Sequence, residues 1–540
     1  MLSEIVFLKK FIIEIMKFKR ISLFLLCAVL SFNSCIKEEI VGVKNEEEGK
    51  SGNKILSFEL RNVPSNVDVS TDINHADPSI SISMNGLISY YDLKSISPSI
   101  SVSKGAKISY DKLKDFTDTD NPITYTVISE SGESRNYKVK FTYELKKFIS
   151  KWEGSNTIKL PIYKGGDYDF VVDWGDGSKK QKVTSYKELK HRYKDSKEKT
   201  ITITGKIEGF NFGKVKISQY IETSENHIIS IDDWGDLKLL NSIERENPGN
   251  NPFLGGKGGV FQGCGKLISL PSTPPDLEKV TDMTNMFKDT YSFNQDLNNW
   301  DVSKVTNMTS VFMSAVSFNG NISKWDVKNV TNMSKMFSNA RAFNQNIGDW
   351  DVSSVTNMES VFEETKVFNQ SLNKWKVDNV TNMKSMFSSA IAFNQDLNGW
   401  NVGNVTNMSS MFSGNYGITV AFNRDISGWD VSKVTDMSNM FSRASSFNQD
   451  LKKWDVSSVT DMHRMFFSSW SEGSIPFNQD ISGWDVSKVA DCIGFSKNTS
   501  NFEDKNKPSF SSCNTELDYS WIKNSDFYWK NKRSNIRGSD

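Results

Sequence analysis

A phrase of about 25 residues recurs eight times in the second half of this chain, in a form close to FNQDLNNWDVSKVTNMTSVFMSA. Its tryptophan falls at Trp300, Trp325, Trp350, Trp375, Trp400, Trp429, Trp454 and Trp484, and five of the seven intervals are 25 residues. The two long intervals fall where SGNYGITVA (413–421) and SSWSEGSIP (468–476) lengthen the same connection. Self-similarity at a fixed period of about 20–50 residues means one supersecondary unit stacked on copies of itself. Insertions confined to one point of the period mark a surface loop.

Within one copy the apolar positions are Phe293, Leu297, Trp300, Val302, Val305, Met308, Val311, Phe312 and Ala315. Steps of two around Trp300-Asp301-Val302 predict a short strand with Asp301 outward. Steps of three and four through Val305, Met308, Phe312 and Ala315 predict a tight helical or 3₁₀ return. A single such coil cannot cover its own apolar face, so the copies must stack, giving a rod roughly 40 Å long at strand spacing. The Asn column (Asn294, Asn319, Asn344, Asn369, Asn394, Asn423, Asn448, Asn478) is expected to bond coil to coil.

The residue after each Trp forms a second column: Asp301, Asp326, Asp351, Lys376, Asn401, Asp430, Asp455 and Asp485. Carboxylates on successive coils would repel at a spacing of ~5 Å unless something compensates. Two readings are open. The six Asp residues form a stripe that meets a basic partner or cations, or each bonds its own corner of backbone and simply recurs with the coil.

The chain has 540 residues, too many for one ordinary core, and 65 basic against 65 acidic side chains. Zero net charge argues against a nucleic-acid partner found by bulk electrostatics. At the N-terminus Met16-Lys17-Phe18-Lys19-Arg20 and the apolar run Ile21–Leu30 read as a targeting segment, with either Met1 or Met16 as initiator. Of five cysteines, Cys27 lies in that segment and no Cys/His spacing indicates metal. Cys492 and Cys513 flank the end of the repeats and are a candidate disulfide in an exported protein.

Between this segment and the repeats, residues 36–52 read as a charged tether. The runs SISISM, SPSISVS, ITYTVI and RNYKVKF then alternate like the strands of a β-sandwich. A second all-β module follows, with Trp174-Gly175-Asp176-Gly177-Ser178 as a tight turn. Asp173 and Asp176 could be read as calcium ligands, but Asp-Gly is what a hairpin turn demands in any case.

Several of these features match known families. Ser34-Cys35 resembles a bacterial lipobox, although Phe32 and Asn33 depart from it, and Ile36-Lys37-Glu38-Glu39 resembles the export signal of Bacteroidetes surface lipoproteins. The resemblance implies lipid on Cys35. The first module resembles the Ig-like domains near the anchor of such lipoproteins. The W-G-D-G-S turn with His191-Arg192-Tyr193 and Thr200–Thr204 resembles a PKD-type domain. The repeats resemble BspA-family leucine-rich-repeat surface proteins, with departures at Lys376, Asn401 and Val489–Cys492.

The expected fold class is therefore mostly β with short helical returns: an LRR-like solenoid of eight repeats preceded by two Ig-like β-sandwich modules. The expected order is lipoprotein signal peptide (1–35), tether (36–52), Ig-like domain (53–146), PKD-like domain (147–205), N-terminal solenoid cap (206–278), repeats (279–495) and C-terminal cap (496–540). Four scattered histidines, with no GxSxG or HExxH, leave no catalytic constellation to nominate and no cofactor. The expectation is a non-catalytic outer-membrane lipoprotein at the cell surface that binds an extracellular protein or adheres. A glycan-binding role in nutrient uptake and a structural coat role are the alternatives; exposed aromatics in the two loop insertions would favour the former.

Overall fold

The computed structural model describes residues 45–46, 52–110, 116, 122–154, 157–187, 189–214, 226–240, 243–244, 257–415, 417–468, 475–513 and 515. The targeting segment, Cys35 and residues 516–540 of the expected C-terminal cap lie outside the described residues. The chain forms two compact units, 1–88 with 92–144, and 89–91 with 145–540. Among the described residues it is mostly β, with almost no helix: one six-residue α-helix, Tyr90–Ser95, and short 3₁₀ turns.

The first unit has two sheets. Strands β1 (Asn45–Glu46), β2 (Ile55–Arg61) and β5 (Ser97–Ser103) form one, in the order β1-β5-β2. The other runs β3-β4-β8-β7-β6, built from β3 (Asp68–Asn74), β4 (Ser79–Ile88), β6 (Lys107–Tyr110), β7 (Ile123–Ile128) and β8 (Ser134–Leu145). The alternating sequence sorts side chains by face: Ile80, Ile82 and Met84 of β4 and Tyr137 and Val139 of β8 are buried. Phe58 of β2 meets Tyr125 of β7 edge-on at 5.5 Å, packing one sheet's inner face against the other's.

The second unit starts with a six-stranded sheet, beside which β10 (Thr157–Lys159) and β13 (Lys190–Arg192) form a two-stranded one. The path of the larger sheet is β12-β11-β14-β9-β15, from β9 (Lys147–Trp152), β11 (Ile162–Asp173), β12 (Gln181–Val183), β14 (Lys199–Phe210) and β15 (Ile228–Trp234). β16 (Leu237–Lys238) adds parallel to β14. Strand β14 runs straight through the boundary expected after residue 205, and β15 and β16 come from the segment expected as a separate cap. Hydrogen bonding joins these pieces into one body. Parallel bridges Ser230↔Ser269 and Lys238↔Asp276 carry the sheet into the repeats, and one hydrophobic core runs from Phe148 to Phe502.

In the repeats, successive coils stack in parallel, bridged at Asp282, Asn307, Asn332, Asn357, Asn382, Asn407, Asp436, Asp461 and Asp491. The expected strand at Trp300–Val302 and the expected helical return are both absent, and the coil is a chain of tight turns. The amide of Trp300 donates to the Leu297 carbonyl, Val305 to Val302, Val311 to Met308, Ala315 to Phe312 and Phe318 to Ala315. Apolar steps of three are thus the two ends of one turn, both pointing inward. The third residue of two of these turns, Ser310 and Ser314, has φ of 57°, the left-handed value a type II turn requires. Helix is impossible with that conformation every fourth residue. The amides left over donate to the next coil: Met308 to Asn332, Ser310 to Ser334, Phe312 to Met336 and Ser314 to Ser338, at 2.8–2.9 Å. Turn bonds and coil-to-coil bonds together satisfy the buried backbone.

This register stacks like rings on like rings. Phe287, Phe312, Phe337, Phe362, Phe387, Phe412, Phe441 and Phe466 form one ladder with centroids 5.4–5.9 Å apart. The Phe-Asn phenylalanines form a second at 5.8–6.2 Å. Trp325–Trp350, Trp375–Trp400, Trp429–Trp454 and Trp454–Trp484 lie parallel at 6.4–6.5 Å. Each buried indole N–H also needs an acceptor, and the preceding coil supplies it: Trp325 donates to the Leu297 carbonyl at 2.8 Å and Trp375 to Ile347 at 3.0 Å. The Asn column bonds coil to coil as expected, Asn344 N–H to Asn319 Oδ1 at 2.9 Å being one of seven such links. The insertion at 413–421 leaves the ladder intact, since Phe412 and Phe441 still stack at 5.9 Å.

At the C-terminal end the rings turn edge-on. Phe495 meets Phe466 at 78° and Phe502 meets Phe477 at 88°, which closes the ladder instead of offering a face for another ring. Cys492, buried at the position that Met308 holds in the first repeat, is disulfide-bonded to Cys513 across a separation of 21 residues. Two outcomes follow for chemical denaturation. Trp375→Ala should cost roughly 3–5 kcal/mol, the range for emptying a buried aromatic site. Cys513→Ser should cost about 3 kcal/mol under non-reducing conditions, from the loop closure it removes.

Candidate functional site

The Asp column lies exposed along one side of the stack, and the local turn explains its position. Asp301 Oδ1 accepts the Ser303 amide at 3.0 Å, and the pattern repeats from Asp351 to Ser353, Asp430 to Ser432, Asp455 to Ser457 and Asp485 to Ser487. Asp326 accepts both the amide and the ammonium of Lys328. Asn401 fills the same place with its amide oxygen, accepting Gly403 at 3.3 Å. The residue after each Trp is therefore first a turn-closing acceptor, a task that Asn performs as well as Asp. Serine hydroxyls and amides two residues on hold the carboxyls of Asp301, Asp351, Asp430, Asp455 and Asp485 below the ordinary carboxylate range.

One oxygen of each carboxylate is spent on the turn, and at Asp326 the second is held by Lys328 Nζ at 2.7 Å. Along 326–376 cations break up the charge, with Lys328 on Asp326 and both Lys328 and Lys376 close enough to act on Asp351. Along 430–485 three carboxylates follow one another, and Asp455 feels both Asp430 and Asp485 as like charges. A row of outward acceptor oxygens at coil spacing suits hydroxyl-rich or cationic ligands.

The other nominated residues resolve differently. The Trp series is core, each ring 3–6 % exposed, and takes no part in a surface. Asp173 and Asp176 close their turns on Gly175 and Ser178, and Asp176 also holds His191 Nε2 at 2.8 Å. His191 stacks on buried Trp174 at 4.9 Å, and the Tyr193 hydroxyl donates to the Trp174 carbonyl. These contacts account for both carboxylates as parts of the fold. The loop aromatics Tyr416 and Trp470 lie outside the described residues.

One grouping escaped the sequence reading. The bridge column is Asn from 307 to 407 and becomes Asp at 436, 461 and 491, where His463 joins it. Ligand atoms of Asp461, His463 and Asp491 all lie within 4.8 Å of one another. The signal was visible as V-T-N-M turning to V-T-D-M and V-T-D-M-H, but it becomes meaningful only once 25- and 30-residue separations are known to be adjacent in space.

Comparison with known families bears on the whole arrangement. The family model described as "Mycoplasma protein of unknown function, DUF285" matches at 258–359, 343–420 and 415–527, together half of the chain. The chain belongs to the DUF285 family. Residues 55–141, the first unit's sheets, match the model "SGBP, N-terminal". No curated protein and no solved structure matches the chain. The DUF285 stack behind an SGBP-like module supports a BspA-like surface repeat protein.

The depressed carboxyls of the DUF285 stack give a pH signature. A carboxyl that titrates lower folded than its ordinary 3.8 stabilises fully above that value, and its contribution is lost as pH falls through the folded value. Thermal melts from about pH 6 down to pH 2 should therefore show the melting temperature falling below about pH 4. A variant with Asp301→Asn, Asp351→Asn, Asp430→Asn and Asp455→Asn should keep its turns and lose less over that window.

Proposed function

We propose that this chain is a non-catalytic, lipid-anchored surface protein that presents an LRR-like solenoid to bind extracellular glycan. In this reading Cys35 carries the lipid, and residues 53–146 form an Ig-like spacer. The WGDGS module is PKD-like and opens the solenoid, and the exposed Asp column contacts the ligand. The observation that carries it is the pairing of an SGBP-like N-terminal module with a DUF285 stack in one chain. It favours glycan over a protein ligand.

The chemistry of the column is consistent with that choice. Outward carboxylate oxygens accept hydrogen bonds from sugar hydroxyls, and the rigid stack sets them at a regular pitch along an extended chain. Adhesion to a host protein is the second reading, favoured by the three uninterrupted carboxylates Asp430, Asp455 and Asp485, which would suit a basic patch.

Glycan-array binding by the full chain, run beside capture of candidate host proteins, separates the two. The glycan reading expects a polysaccharide signal that falls at least about tenfold, or about 1.4 kcal/mol, in an Asp326→Asn, Asp351→Asn variant of unchanged melting temperature. An empty array with saturable host-protein capture would transfer the conclusion to adhesion.

A further inference from the structure

We propose that Asp461, His463 and Asp491 form a binding site for a divalent transition metal of the Zn²⁺ type, which pins the last two coils of the stack together.

The three residues come from adjacent coils held in fixed register. Asp461 and Asp491 are bridge partners, and the Met462 amide donates to the Asp491 carbonyl at 2.8 Å. Their ligand atoms lie within 4.8 Å of one another, so one ion could touch all three after small side-chain rotations. Two carboxylates and one imidazole form a set that Zn²⁺ accepts, whereas imidazole is foreign to the oxygen cages of Ca²⁺ and Mg²⁺.

The turn does not need these charges. Asp461 Oδ1 accepts the His463 amide and imidazole Nδ1, both at 3.0 Å, and Asp491 Oδ1 accepts the Ile493 amide at 3.1 Å. Five preceding coils make the same closure with Asn, as Asn332 does with Ser334 at 2.9 Å. An Asn can also donate to the neighbouring column, as Asn407 does to Asp436 Oδ2 at 3.3 Å. A carboxylate cannot, so stacking Asp461 on Asp491 puts charge against charge where the fold asks only for an acceptor. Among the described residues neither second oxygen, Asp461 Oδ2 nor Asp491 Oδ2, has a hydrogen-bond partner, and no Lys or Arg pairs with either residue. On the far side of the imidazole, Asn439 Nδ2 faces His463 Nε2 at 3.0 Å and orients the ring. For Nδ1 to ligate, the proton must sit on Nε2, and Asn439 then meets it by turning its amide oxygen toward the ring, the outer acceptor that ligating histidines usually possess.

The place suits a structural ion. Asp491 immediately precedes Cys492, whose disulfide to Cys513 fastens the same edge. Metal and disulfide would be two staples on the end of the stack most exposed to fraying.

The test uses the full chain with Zn²⁺ alone, by equilibrium dialysis and by thermal melts at neutral pH. The expected result is one Zn²⁺ per chain with micromolar affinity, a melting temperature raised by several degrees, and loss of both effects in Asp461→Asn, Asp491→Asn and His463→Gln variants. Since Asn keeps the turns, the double Asp variant should also melt higher than the metal-free parent, which establishes that it folds. Stoichiometric binding that survives in these folded variants, or no saturable binding by the parent chain, would overturn the proposal.

Discussion

Everything in the second unit depends on the register between one coil and the next. Each coil is a run of turns that closes some of its backbone amides internally, while others, such as those of Met308, Ser310, Phe312 and Ser314, find partners only in the next coil. A copy of the same phrase provides them in parallel, at 2.8–2.9 Å in the first pair of repeats. The same displacement that satisfies the amides brings Phe over Phe and Trp over Trp, so polar satisfaction and ring packing reinforce each other. The indole shows the coupling most directly, since Trp350 stacks on Trp325 while donating to the carbonyl of Ile322. Slipping the register by one residue would orphan the amides and misalign every ladder at once.

A stack of this kind must be stopped at both ends. At one end the six-stranded sheet does so through parallel bridges and through Trp234, which meets Trp300 edge-on at 6.5 Å. At the other, Phe495 and Phe502 meet the last ladder rings edge-on, and Phe510 in turn meets Phe495 edge-on. Among the described residues, the edge-on rings at this end break the face-to-face ladder that the repeats maintain.

The side that carries the Asp column is economical in design. One oxygen of each column carboxylate holds its turn while the side chain stays exposed, so the turn does not withdraw the column from the surface. Asn401 and Lys376 mark where the outward charge is absent or reversed while the coil persists. Variation along the column can therefore change the surface charge while the turn-closing acceptor is kept.

The amino-acid sequence by itself determined that identical units stack on one another, which rings form the core, where loops leave it, and that the Asn column links coils. These follow from periodicity, because a repeated pattern of Trp and Phe has no other way to leave water. It also placed the alternating strands of the first unit, where a period of two is unambiguous. Tertiary structure alone decided the path within a coil. Steps of two and three around Trp300–Val311 read equally as strand, helix or turn, and the left-handed conformations at Ser310 and Ser314 that select the turn leave no mark in residues other than glycine. It alone fused β14–β16 with the repeats, since the bonds from Ser230 and Lys238 span tens of residues without a local signal. And it alone assembled Asp461, His463 and Asp491, because proximity between residues on different coils belongs to the stack and to no stretch of chain.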